Sequence, residues 1–296
     1  MKPFTSNERR PGTAWPLVVL ASLLLSAPAV AQNVARPSGA AEAAAAHAAE
    51  PLDRVRQLYN AGEYDEAIRV AVALLGRPGD HDTTRLLLGR ALLERHRSSA
   101  SPEDLSEGRQ ALRAVDPHAL SDRDRIDLRV GIGEALYLDG EYGPAALVLA
   151  TALDQASALS PEAREQLADW WATAKDRHAQ TRPPEERADL YLELEERMAR
   201  HLLQFPDSSA ALYWSAASAL ARGALELAWD RAVVAWVQAP MTPDRGEALR
   251  ADIDRLVVRA LVPERVKRLP GASGGPDAAN SLLAEWEIIK EQWTRR

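Results

Sequence analysis

From Leu52 onward, apolar residues recur three and four positions apart, with polar residues filling the opposite face. That spacing marks amphipathic helices. No run alternates β-branched or aromatic residues with polar ones, so no strand is expected. Start signals are clear. Ser101-Pro102-Glu103-Asp104 places a capping serine before a first-turn proline and two acids, and Ser160-Pro161-Glu162 and Thr242-Pro243-Asp244 follow the same logic. Asp207-Ser208-Ser209 supplies a further start. Stops fall at Gly76-Arg77-Pro78-Gly79, Asp116-Pro117, Arg182-Pro183-Pro184 and Ala239-Pro240. Together these signals predict helices near 52–60, 64–75, 83–96, 102–115, 122–138, 142–158, 161–178, 184–205, 208–222, 224–238, 243–261 and 278–295. Helices joined by short turns run antiparallel, so the expected fold is all-α, built of helix pairs.

One phrase occurs twice. Leu58-Tyr59-Asn60-Ala61-Gly62-Glu63-Tyr64-Asp65-Glu66-Ala67 returns, altered, as Leu136-Tyr137-Leu138-Asp139-Gly140-Glu141-Tyr142-Gly143-Pro144-Ala145. Each copy sets a glycine between two helical patterns and an alanine inside the second helix. Ala67, Ala145 and, further on, Ala228 let a partner helix approach where a larger side chain would hold it off. Internal repetition of this kind belongs to stacked architectures, which serve as binding surfaces more often than as catalysts.

These residues resemble the tetratricopeptide repeat, a helix-turn-helix of about 34 residues with small residues at helix contacts and a closing proline. Gly62, Tyr64 and Ala67 fit the turn and the opening of the second helix, and Pro78 fits the closing proline. Leu88, Gly89 and Leu92 fit the first helix of the next unit. Gly133, Leu136, Gly140, Tyr142, Ala145 and Ala152 form the clearest copy, and Gly223, Ala228, Ala232, Ala235 and Pro240 a fourth. The 97–101 loop is longer than the family's turn, the 161–205 pair has overlong helices without a glycine turn, and the last helices lack the motif. The resemblance implies an α-solenoid over 51–262 whose first helices line a concave face that holds proteins or peptides.

Projected onto the matched copies, that face carries Leu52, Arg56, Tyr59 and Asn60, then Leu86, Arg90, Leu93 and Glu94, then Asp127, Val130, Glu134 and Tyr137, and later Tyr213, Ala217 and Leu220. The candidate binding residues are Arg56, Tyr59, Asn60, Arg90, Glu94, Glu134, Tyr137 and Tyr213. Tyrosine contributes large contact area at low entropic cost. Arg56 and Arg90 suit a peptide carboxylate. Family members that hold a C-terminal carboxylate use lysines and asparagines, and only Asn60 matches that habit. Each of these positions also reads as an ordinary exposed helix residue.

Tryptophans cluster late in the chain. Trp229 and Trp236 share one helical face, and Leu282, Trp286, Ile289 and Trp293 form an apolar stripe on the last helix. That stripe, on an amphipathic helix over 278–296, either caps the end of the stack or docks onto a partner. Trp170 and Trp171 lie about 100° apart on a helix, so one is expected inside and the other partly outside. Residues 263–277, with Gly271-Ala272-Ser273-Gly274-Gly275-Pro276, read as a linker; the glycine run lacks the preceding strand and the Lys-Ser/Thr pair of a phosphate-cradling loop.

The first 31 residues look like an export signal. Lys2, Arg9 and Arg10 precede an apolar run from Ala14 to Leu25, and Ala29-Val30-Ala31 offers a cleavage site. An uncleaved anchor is the alternative. Residues 32–50 are rich in alanine and read as a tether, or as an extra helix. The sequence has no cysteine, which excludes disulfides, thiolate metal sites and the acylated cysteine of a lipoprotein. A periplasmic or secreted location is expected, with no transmembrane segment in the mature chain. Formal net charge is −7; the leader carries +2, which leaves about −9 and disfavours nucleic acid.

No catalytic constellation stands out. The six histidines lack metalloprotease spacing, there is no G-x-S-x-G elbow, and Gly131-Ile132-Gly133 lies inside a helix, where it serves packing and not a dinucleotide. Glu185-Glu186 and Glu195-Glu196 read as solvated faces. The sequence therefore predicts a non-enzymatic scaffold with no cofactor and no metal, binding a protein or peptide partner, with assembly of identical copies left open. A structural subunit of an envelope complex and, at greater distance, an envelope enzyme are the rival readings.

Overall fold

The structure, a computed structural model, describes residues 51–79, 81–242, 244–269 and 276–294. The expected leader over 1–31, the alanine-rich 32–50 and the glycine-rich 270–275 lie outside the described residues. The described residues are almost entirely helical and contain no strand. They divide between Leu167 and Ala168 into two compact units, an N-terminal one and a C-terminal one.

The N-terminal unit contains α1 (51–60), α2 (Tyr64–Leu75), α3 (Asp82–Ser99), α4 (Pro102–Arg113), α5 (Asp122–Leu138), α6 (Tyr142–Leu153) and the first turns of α7 (Pro161–Gln180). Helix α3 is its centre and packs against α2, α4 and α5. Every side chain from Leu86 to Glu94 is buried, so the middle of α3 has no solvent face. Crowding is relieved by glycine: a β-carbon on Gly89 would lie 2.7 Å from Leu112 Cγ, where α4 crosses. Leu86, Leu93, Leu112, Leu120 and Leu128 form one core cluster, and Val55, Ala71, Leu88 and Leu92 another.

The repeated phrase folds into one recurring turn. Gly62 has φ 76° and Gly140 φ 81°. In the first turn the Gly62 amide bonds Tyr59 O (3.0 Å) and the Glu63 amide bonds Leu58 O (2.9 Å). In the second, Gly140 bonds Tyr137 O and Glu141 bonds Leu136 O at the same two distances. This is the Schellman pattern, in which a left-handed residue satisfies two orphan carbonyls at a helix end. Tyrosines brace each turn edge to face, with Tyr59–Tyr64 centroids 5.8 Å apart and Tyr137–Tyr142 5.2 Å apart. Ala67 and Ala145 are both fully buried.

The C-terminal unit holds the rest of α7, then α8 (Pro184–Gln204), α9 (Ser209–Ala221), α10 (Leu225–Gln238), α11 (Glu247–Leu256), α12 (Val262–Arg268) and α13 (Pro276–Thr294). Here α9 is central, buried from Ala211 to Leu220 and packed against α8, α10 and α11. The same turn joins α9 to α10: Gly223 has φ 82°, its amide bonds Leu220 O, and the Ala224 amide bonds Ala219 O. Trp286 of α13 is fully buried between Trp229 and Trp236, at 5.8 and 5.4 Å, and its Nε1 donates to Asp254 (3.0 Å). The stripe therefore covers the aromatic face of α10, while Trp293 at its far end stays 42% exposed.

Several expectations differ. Glu195, read as solvated, is buried and accepts from Arg222 (3.3 Å) and Arg231 (3.0 Å), because α9 and α10 supply these arginines at its side of α8. The loop expected over 97–101 is helical as far as Ser99. Trp170 and Trp171 are both buried, because α7 is covered on more than one side: Arg197 of α8 lies over Trp171, and Asp169 accepts from Trp214 Nε1 of α9. The start expected at Thr242 is capped by Asp244, which accepts from the Gly246 and Ala248 amides, and the helix begins at Glu247. The stop expected near Leu261 is passed, and the chain is helical to Arg268. A widened π segment, Val257–Leu261, sits just before Pro263 and accommodates the proline's missing donor.

At Gly140 a β-carbon would meet nothing within 4 Å, so replacement tests the left-handed backbone alone. Gly140→Ala is expected to lower unfolding free energy by about 1 kcal/mol in urea titration, with an unchanged m-value.

Candidate binding pocket

The N-terminal unit contains a small pocket of about 30 Å³ that opens to solvent. Helix α1 contributes Arg56, Tyr59 and Asn60, positions three and four apart on one face. Leu86, Leu87 and Arg90 come from α3, and Arg123 and Asp127, one turn apart, from α5. Leu159, Ser160 and Ala163 close it at the start of α7, where the Ser160 hydroxyl also caps the helix by accepting from the Ala163 amide (3.3 Å). The charged lining is three arginines against one aspartate.

Arg90 is the unusual member. Its residue is only 3% exposed, and its guanidinium lies 5.8 Å from the Tyr59 ring centroid. Its stem rests on α5 because Gly131 has no side chain; a β-carbon there would fall 2.6 Å from Arg90 Cδ. Nη1 donates to the Asp127 carbonyl at 3.4 Å. Nε lies 3.6 Å from Glu134 Oε2, close enough for ionic attraction but too far for a hydrogen bond. Among the described residues, Nε and Nη2 of Arg90 and Oε2 of Glu134 make no hydrogen bond. A buried donor left unmet costs about 1–3 kcal/mol.

Behind Arg90 the charges continue. Glu134 is fully buried on α5. Arg97 Nη1 donates to Glu94 Oε2 (2.8 Å) and to Glu134 Oε1 (3.3 Å), so one guanidinium serves two carboxylates. Burial and the nearby Glu94 push the Glu134 carboxyl up to about 7, against the opposing pull of Arg97 and Arg90. Burial also raises Asp127, with Arg90 and Arg123 opposing. Burial works against the Arg90 charge, but Tyr59, Glu134, Asp127 and Glu94 outweigh it and raise Arg90 further above its ordinary value. The Tyr59 hydroxyl is raised by burial as well. Arg56 is tied to Asp124 (2.9 Å), which in turn caps α5 with Ser121.

Of the residues projected onto the groove from sequence, Arg56, Tyr59, Asn60, Leu86, Arg90 and Asp127 meet at this pocket. Glu94 and Glu134 do not line it; they are buried behind Arg90, because the middle of α3 has neighbours all round. Tyr137 is half-buried against Tyr142. Tyr213 belongs to the C-terminal unit, where it is buried edge to face against Trp214 at 5.5 Å. Sequence reasoning passed over Arg123, although its one-turn spacing from Asp127 put both on one face of α5. It passed over Ser160 because that residue reads as a cap.

Among the described residues no group of three or more histidines, aspartates and glutamates is arranged to hold a metal ion, and no helix is long and apolar enough to cross a membrane. No protein-family model matches the chain, and neither a curated protein nor a solved structure shows significant similarity to it.

The Glu134 carboxyl has an ordinary value of 4.5 and a folded value of about 7, so between these pH values the folded chain holds a proton that the unfolded chain has lost. Its contribution is complete below 4.5 and disappears as pH rises through 7. Urea titrations from pH 4.5 to 8.5 should show wild-type stability falling across this window relative to Glu134→Gln. Parallel curves for the two proteins would contradict the assignment.

Proposed function

We propose that this chain is an exported scaffold of tetratricopeptide-like helix pairs that binds protein or peptide partners through the arginine-lined pocket of its N-terminal unit, with a partner carboxylate as the anchoring group. The observation that carries the reading is Arg90: a guanidinium almost removed from solvent, lining the pocket, with two of its nitrogens lacking hydrogen bonds among the described residues. A carboxylate satisfies such a fork with charge-assisted bonds. Arg56 and Arg123 reinforce the local positive charge, Asn60 supplies an amide, and Tyr59 offers a rigid aromatic wall. The three matching Schellman turns, at Gly62, Gly140 and Gly223, support the repeat resemblance, since each starts a second helix with an alanine at its contact face. The apolar leader, outside the described residues, supports export.

A second reading, a permanent subunit of an envelope assembly, draws on Ile288 and Trp293 of α13, which are 54% and 42% exposed. Arg90 favours the first, because a purely structural role gives it no reason to be short of partners.

Fluorescence anisotropy with a fluorescein-labelled hexamer of aspartate tests the pocket. Arg90→Gln should weaken capture about tenfold or more, the loss of a charge-assisted pair, while circular dichroism stays unchanged. Arg109→Gln, which removes an exposed partner of Asp139 on α4, should leave capture intact. Equal affinity in Arg90→Gln and wild type would remove Arg90 from the site.

A further inference from the structure

The pocket's arginine is shared with an interior acid. Glu134 Oε2 faces Arg90 Nε at 3.6 Å, without a hydrogen bond, and Oε1 competes with Glu94 for one nitrogen of Arg97. Glu134 is thus a fully buried carboxylate with one loose and one divided partner. The charge of a group held this way sets how much of Arg90's field reaches the pocket.

We propose that Glu134 is a proton-operated counterion: ionised, it holds Arg90 inward as its pair; protonated, it releases the guanidinium charge to a carboxylate in the pocket. The inference rests on the reading of the pocket as a carboxylate site. It adds a direction: capture strengthens as pH falls, while an aspartate-rich ligand stays ionised throughout the range. Binding takes up a proton, because an anion at Arg90 further disfavours the Glu134 charge. The shift of Glu134 toward neutrality by burial and Glu94 places the change in a usable window.

Other groups around Glu134 are accounted for. From α3 it meets Arg90, Glu94 and Arg97. Tyr59 and Tyr64 feel it from α1 and α2, and both are raised by burial, far from this range. On α4, Asp104 is held by Arg95 and Arg109 by Asp139; on α6, Tyr142 sits against Tyr137. Asp127, on the same helix as Glu134, lines the pocket and titrates in the same sense. His96 on α3 is turned to the Ser101 carbonyl at 2.6 Å. These last two are the competing explanations for any pH dependence.

The test is anisotropy of the fluorescein-labelled aspartate hexamer on the full chain from pH 8 to pH 6 at fixed ionic strength. If binding raises the Glu134 value by one further unit, affinity rises about fivefold over that range. Glu134→Gln should be flat and already tight at pH 8, whereas Asp127→Asn and His96→Gln should keep the rise. A second readout needs no variant: calorimetry of the wild type at pH 7 in two buffers of different ionisation enthalpy should show uptake of about 0.4 proton per peptide. Capture that is level with pH, a rise that survives Glu134→Gln, a rise lost in His96→Gln or Asp127→Asn, or no proton uptake would overturn the regulation and leave the pocket standing. No capture at any pH would overturn the pocket reading and the regulation with it.

Discussion

In the N-terminal unit two charges withdrawn from water face each other, Arg90 of α3 and Glu134 of α5, with Arg97 as a second partner of Glu134. Taking a guanidinium and a carboxylate out of solvent costs several kcal/mol per ion, and attraction offsets this only when each charge is well met. Here it is met incompletely. Arg97 gives Glu134 one hydrogen bond while also serving Glu94, and Arg90 reaches Glu134 only through space. An apolar pair of similar volume would hold α3 to α5 as well or better. Of the two, Arg90 also lines the pocket, while Glu134 lies behind it.

The fold brings those charges together through small residues. Gly131 admits the Arg90 stem, and on the opposite side Gly133 admits Leu149, whose Cδ2 lies 2.6 Å from where a β-carbon would be. Gly89 does the same for Leu112 of α4. With three helices pressed on it, α3 presents its Leu86–Glu94 stretch to protein on every side, and the polar residues it carries must find partners internally. The turns at Gly62 and Gly140 fix the hairpins that make this possible: each satisfies helix-end carbonyls in two residues and starts the next helix against a buried alanine.

Much of this was legible in the sequence, for local reasons. Capping serines at 101, 160 and 208 bond the amides three residues on, so helix starts follow short-range chemistry. Glycine at a positive φ is similarly local, and the doubled phrase gave the hairpins directly. What depends on three-dimensional neighbours was not legible. Periodicity placed Arg90, Glu94 and Glu134 on a face, but only the packing of α2, α4 and α5 around α3 decides that this face is interior. Trp170 and Trp171 illustrate the same limit, since a helix covered on several sides ignores a one-stripe pattern. The continuation through Pro263 was hidden because a widened turn relaxes the usual proline rule.

Carbon-13 NMR of the glutamate side-chain carboxyls in the intact chain reads the protonation of Glu134 directly. With the Glu134 resonance assigned by comparison with Glu134→Gln, its titration midpoint should lie near 7. A midpoint near the ordinary 4.5 would mean that Glu134 is solvated or fully paired, and the link between the buried charges and the pocket would be lost.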